Sequence, residues 1–151
     1  MTRSIARSAA TRRWLAGIGA ALLALATSGC EAPAHAAVVK CAGTGLAVGN
    51  MRHDCTLTIA KTDRQAAATI SIKTHRRLAH VKGHFTVQQG SVRIALQGNA
   101  GSKTEIMVSP GNPGTLEGTV RLRRDGSSFH LRFYPVGEVT GVQGQFSYEA
   151  R

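Results

Sequence analysis

Arg121, Arg123, His130 and Arg132 flank an Asp125-Gly126 pair at alternating positions, and their chemistry is that of anion capture. Guanidinium groups take carboxylate and phosphate oxygens in a two-pronged geometry, so several of them on one surface make a holding patch. Arg93, on a separate alternating stretch, has the parity to join them. An ordinary sheet also turns one polar face to water. The pattern therefore names a surface able to bind anions without naming the anion. Lys73, His75, Arg76 and Arg77 form a second cationic cluster. It falls between two predicted strands, where it is either a charged connection or a contact for anionic head groups.

The other reactive residue types do not converge. His80 and His84 share strand parity, but four residues of extended chain separate them by about 13 Å, too far for one tetrahedral ion. No metal site and no cofactor are expected. The carboxylates beyond the first 36 residues are Asp54, Asp63, Glu105, Glu117, Asp125, Glu138 and Glu149, and they form no paired motif. No nucleophile elbow, zinc-binding histidine helix or phosphate-binding glycine loop occurs. The expectation is a non-enzymatic protein. A small secreted hydrolase would need a cleft that gathers histidine, carboxylate and serine from distant positions. Nucleic acid is not expected as a partner: Phe85, Phe129 and Phe133 have inward parity, which leaves chiefly Tyr134 as a stacking surface.

The first part of the chain has a different character. Arg3, Arg7, Arg12 and Arg13 precede a charge-free, largely apolar stretch from Trp14 to Ser28. Such a stretch is too short for an ordinary membrane span and suits the core of an export signal. Thr27-Ser28-Gly29-Cys30 then resembles the lipobox of bacterial lipoprotein precursors, departing from it at Thr27, where leucine is usual. That resemblance implies removal of residues 1–29, lipid attachment at Cys30 and membrane contact through the anchor. Ala34-His35-Ala36 offers an alternative cleavage after residue 36, which would free a soluble secreted protein. Thr11-Arg12-Arg13-Trp14-Leu15 resembles a twin-arginine export signal, so the route is open as well. Either way the expected location is beyond the inner membrane, in the periplasm or cell envelope.

Cysteine usage agrees with export. Both cleavages remove Cys30 from the thiol pool, and Cys41 and Cys55 are left as a natural disulfide pair in an oxidising compartment. The whole chain of 151 residues carries a formal charge of +11. Four arginines and Glu31 belong to the first 36 residues, so 15 basic and 7 acidic side chains remain, a net charge of +8. Positive charge of that size speeds encounter with acidic proteins and anionic polymers.

The elements that must position these groups are strands. Period-2 alternation broken by turn residues predicts strands near 55–60, 67–73, 79–88, 91–98, 103–109, 115–124, 127–134 and 142–149, with a short one near 37–41. The organisation expected is an export signal, a disulfide-tethered segment over 30–54 and an antiparallel all-β domain over 55–151. Thr62-Asp63-Arg64-Gln65 also fits a capping box, so one helical turn is allowed there. The short connections predict a meander of about eight strands. Asp125-Gly126 predicts a hairpin with Leu122 opposite Phe129 and Arg121 opposite His130. A similar hairpin around Gln89-Gly90 would set Val87 opposite Val92. Gly83, Gly118 and Gly144 have inward parity, with Leu96 and Phe133 expected across from the first two. Inward glycines suggest bends that close the sheet into a barrel, a β-sandwich being the alternative.

Two uses follow. The first is a basic sheet face (Arg93, Arg121, Arg123, His130, Arg132) holding an acidic protein or an anionic envelope polymer. The second is a lipocalin-like carrier, with an apolar cavity lined by Ile70, Ile72, Phe85, Ile94 and Leu131.

Overall fold

The computed structural model describes residues 35–43, 52–99, 103–122 and 127–151. The export segment with Cys30, and Arg123 with the Asp125-Gly126 pair, lie outside them. The described residues contain no helix. They form eight strands: β1 (Val38–Gly43), β2 (Arg52–Thr62), β3 (Ala66–Ser71), β4 (Leu78–Thr86), β5 (Gln89–Gln97), β6 (Lys103–Val108), β7 (Gly114–Arg121) and β8 (Ser128–Ala150). All pairings are antiparallel.

Strand β8 organises the molecule. Its second half lies between β2 and β4 in a layer ordered β1-β2-β8-β4-β7. Its first half lies between β3 and β5, with β6 beyond β5. Two separate strands, near 127–134 and 142–149, were expected here. Instead the chain stays extended and crosses from one layer to the other. Gly137 and Gly141 take positive φ angles of 76° and 63°, which bend the strand without reversing it.

The sheet does not close, in keeping with the sandwich alternative rather than the barrel. The inward glycines explain why. They are not bends but seats for neighbouring side chains. Gly144 lies opposite Phe85, and a Cβ on it would stand 2.5 Å from the Phe85 ring. Gly83 lies opposite Phe146, and a Cβ there would stand 2.6 Å from that residue's own Cβ. Leu96 faces Gly118, not Gly83: a Cβ on Gly118 would stand 3.3 Å from the Leu96 side chain and 2.8 Å from the Thr104 hydroxyl. Large side chains resting on bare backbone let the two layers approach closely.

The meander expectation also fails in part. Only β1–β2 and β5–β6 pair as chain neighbours; β4 pairs with β7 and β8, and β7 with β4. Neither expected hairpin pairs its own two arms. Alternation decides which face a residue takes, whereas the partner strand is decided by packing far along the chain. The faces are as expected: Phe85, Val87, Val92, Ile94, Val120, Leu122, Phe129 and Leu131 are all buried.

These residues share one core with the five proposed to line a cavity. Ile70, Ile72, Phe85, Ile94 and Leu131 are at most 5% exposed, and Phe85 meets Phe133 edge to face at 6.4 Å. The room left by Gly83 and Gly144 is occupied by aromatic rings. At Thr62 a tight connection stands in place of the helical turn that the capping-box pattern allowed: the buried hydroxyl donates to the Arg64 carbonyl at 2.6 Å and accepts from the Arg64 amide at 3.3 Å. Cys41 and Cys55 lie directly opposite each other and are joined by a disulfide, which fixes the edge strand β1 to β2.

Candidate anion-binding surfaces

The register divides the arginine patch expected on one hairpin. Arg121 on β7 lies opposite Leu78. His130 lies opposite Thr69 and Gln97, and Arg132 opposite Ala67 and Ala95. Arg121 therefore belongs to a different layer from His130 and Arg132, because β7 pairs with β4 while the start of β8 runs between β3 and β5. Arg123 lies outside the described residues.

Three of the five expected residues remain together on the outer face of β3, β8, β5 and β6. Arg93 lies opposite Tyr134, one outward position from Ala95 and Arg132. Its guanidinium sits 4.8 Å from the centre of the Tyr134 ring, and the Lys103 ammonium sits 5.7 Å from the same ring. Glu105 pairs with Lys103 and, at 3.8 Å, with Arg93. Hydrogen bonding from Lys103 holds the Glu105 carboxyl below its ordinary range; burial opposes it, and the charges of Lys103 and Arg93 add smaller lowering effects. His130 shares a hydrogen bond with Thr69 at 3.0 Å.

Arg132 is the unusual member. It is partly buried between Ala67 and Ala95, whose methyl groups leave width for its long stem. Its Nε is shielded from solvent and has no hydrogen-bond partner. Among the described residues this face thus carries three permanent cations, Arg93, Lys103 and Arg132, against one carboxylate, Glu105. Lys103 and Tyr134 were not among the expected site residues. The alternation of Lys103 with Glu105 was visible in the chain, but its register against Arg93 was not.

The missing Arg121 finds other company. It lies at one end of the sandwich on a cavity of about 500 Å³ lined by Thr74, His75, Arg76, Arg77, Asn99, Arg121, Leu122 and Ser127. Of the first cationic cluster only Arg121 is here, where it joins His75, Arg76 and Arg77 of the second. A short β-bridge between Asn99 and Arg121 joins the end of β5 to β7. This approach depends on Gly98, where a Cβ would land on the Arg121 carbonyl. Gly98→Ala is expected to destabilise the fold by about 1–3 kcal/mol, the usual cost of overpacking. Equilibrium urea unfolding checks it, and an unchanged midpoint would contradict the close approach.

A groove of about 540 Å³ crosses the outer face of β2, β8 and β4, with Arg52, Asp54, Lys82, His84, Gln145 and Ser147 among its lining. Its charges are balanced: Arg52 pairs with Asp54 at 3.4 Å, and Lys82 pairs with Glu117 at 3.1 Å. The Lys82 hydrogen bond and charge, with His80 adding a smaller effect, lower the Glu117 carboxyl. Because both lowered carboxylates are held charged by partners, their contribution to stability is present above the ordinary carboxylate range. It is lost as pH falls through their lowered values. Solvent screening at these exposed positions keeps that contribution small. Among the described residues no three of His, Cys, Asp or Glu stand close enough together to hold a metal ion.

No family model matches this chain, and no curated protein does. Similarity is found to solved structures. One is the enzymatically active domain of bacteriophage CBA120 tailspike protein 4, at 12% identity and a TM-score of 0.38 over 77% of this chain; the match spans 19% of the tailspike chain. Another is TmCBM61 in complex with β-1,4-galactotriose, at 9% identity and a TM-score of 0.35, covering 75% of this chain and 88% of that one. A third is a CBM4 structure, at 8% identity and a TM-score of 0.35, covering 70% of this chain and 73% of that one.

Proposed function

We propose that this chain is an exported, non-enzymatic binding domain of the cell envelope. It holds an acidic protein or an anionic envelope polymer on the outer face of β3, β8, β5 and β6. The observation that carries this is the shielded Arg132 Nε without an acceptor, set among Arg93, Lys103 and His130. A buried donor left unpaired costs about 1–3 kcal/mol, and a shift of the Arg132 side chain that opened Nε to a partner's carboxylate oxygen would recover that cost. An open sheet face with an excess of cations suits an extended partner that touches several of them at once. The cationic signal segment and the disulfide support an address outside the cytoplasm.

The test uses immobilised poly-L-glutamate as the acidic polypeptide and polygalacturonate as the anionic polysaccharide. Arg93→Gln combined with Arg132→Met removes two charges while the methionine keeps Ala95 covered. At moderate salt the pair is expected to lower affinity about tenfold or more, as two lost charge-assisted contacts imply. The urea midpoint should stay near that of the parent. Equal retention of parent and variant on both matrices would overturn the proposal. Glu105→Gln should act in the opposite direction, raising affinity several-fold, because it removes the one carboxylate that neutralises Arg93 and Lys103. A weaker binder would contradict the sign.

A further inference from the structure

We infer that the cavity at the end of the sandwich is a second anion site, independent of the sheet face, built for the phosphate group of a compact phosphate ester. Four cationic or ionisable side chains, His75, Arg76, Arg77 and Arg121, line it, and no carboxylate appears among its described lining residues. Arg77 and Arg121 make no ion pair among the described residues. Like charges gathered round one hollow repel each other, and a doubly charged anion between them turns that repulsion into attraction.

The backbone around the cavity is tied from three directions, so the arginines are presented by fixed stems. The Leu122 amide donates to the Arg77 carbonyl at 2.8 Å, which sets Arg77 beside the end of β7. The Asn99 amide donates to the Arg121 carbonyl at 2.6 Å. The Ser127 hydroxyl donates to the Thr74 carbonyl at 3.0 Å, and the Arg76 amide donates to the Thr74 hydroxyl at 3.0 Å. None of these bonds uses a guanidinium.

The cavity also differs from the sheet face in shape. It is concave, and about 500 Å³ lies within the usual size of small-molecule sites. An extended polymer fits a face better than a hollow. The two guanidinium forks of Arg77 and Arg121 match the several oxygens and double charge of a phosphate monoester better than the two oxygens and single charge of a carboxylate. The Asn99 amide in the same lining adds donors and an acceptor for hydroxyl groups on the ester.

The experiment titrates the protein with inorganic phosphate and, separately, with acetate, by calorimetry. Parent protein should bind phosphate at least tenfold more tightly than acetate. Arg77→Gln with Arg121→Gln should remove phosphate binding, and Arg77→Lys with Arg121→Lys should lose most of it, since lysine keeps the charge but not the fork. Because none of these local bonds uses the Arg77 or Arg121 side chain, both variants should keep the parent urea midpoint. Arg93→Gln with Arg132→Met should leave phosphate binding unchanged. Vesicles containing phosphatidylglycerol, compared with phosphatidylcholine alone, then separate the sources of the phosphate. Retention lost in the Arg77 and Arg121 variants points to a lipid head group, and no retention points to a soluble ester; both are consistent with the site. Failure of the parent to bind phosphate at millimolar concentration, or equal binding by the glutamine variant, overturns the inference. Neither result touches the sheet-face proposal, which is read out on polyglutamate and polygalacturonate.

Discussion

Phe85→Ala lowers the unfolding free energy by about 3–5 kcal/mol, the usual cost of truncating a fully buried phenylalanine. Phe85 is wholly buried, lies on Gly144 of the central strand, and meets Phe133 of the facing layer. Truncation therefore opens a void between two layers whose backbones cannot collapse into it. Against a total stability of roughly 5–15 kcal/mol, such a loss brings the domain close to its unfolding threshold. The complementary change, Gly144→Ala, inserts a methyl 2.5 Å from the Phe85 ring and should cost about 1–3 kcal/mol. Equilibrium urea unfolding measures both. A loss below about 1 kcal/mol for Phe85→Ala would mean the ring is not the contact that joins the layers.

Removing the disulfide is the second large effect. Cys41 and Cys55 are 14 residues apart, and closing a loop of that length stabilises by about 3 kcal/mol in the chain-entropy model. Strand β1 has no neighbour but β2 among the described residues, and Cys41 is exposed while Cys55 is buried. Cys41→Ser with Cys55→Ser is expected to lower the urea midpoint. It should also release the amides of Val38–Gly43 to hydrogen exchange before those of β2, which remain paired with β8. Uniform loss of protection across β1 and β2 would show that the bridge supports the whole sheet and not its edge alone.

How far the sequence foretold the molecule depends on the kind of fact. The inward set from Phe85 to Leu131 was legible because side-chain direction in a strand follows from alternation within a few residues. The Cys41–Cys55 pair was legible because only two cysteines remained once Cys30 was set aside. Strand partners were not, since nothing local distinguishes β4 pairing with β5 from β4 pairing with β7. The candidate site suffered from that gap. Arg121 was correctly placed outward, but its hairpin with His130 assumed that consecutive strands pair. Its true neighbours, Arg76 and Arg77, were read as a separate cluster, either a charged connection or a contact for anionic head groups. Gly98, which brings β5 onto Arg121, gave no signal, because a glycine near a strand end looks like any turn residue.

The central claim is that an acidic partner lies across β3, β8, β5 and β6 and supplies the acceptor that Arg132 lacks. The direct measurement is a nuclear magnetic resonance titration of labelled protein with a short polyglutamate chain, following backbone amides together with the arginine Nε–H signals. Perturbations are expected only in the neighbourhood of Thr69, Arg93, Lys103 and Arg132, with the Arg132 Nε–H resonance moving strongly as it gains a hydrogen bond. Shifts centred instead on the groove across β2, β8 and β4, or an Arg132 Nε–H signal that stays in place at saturation, would contradict it.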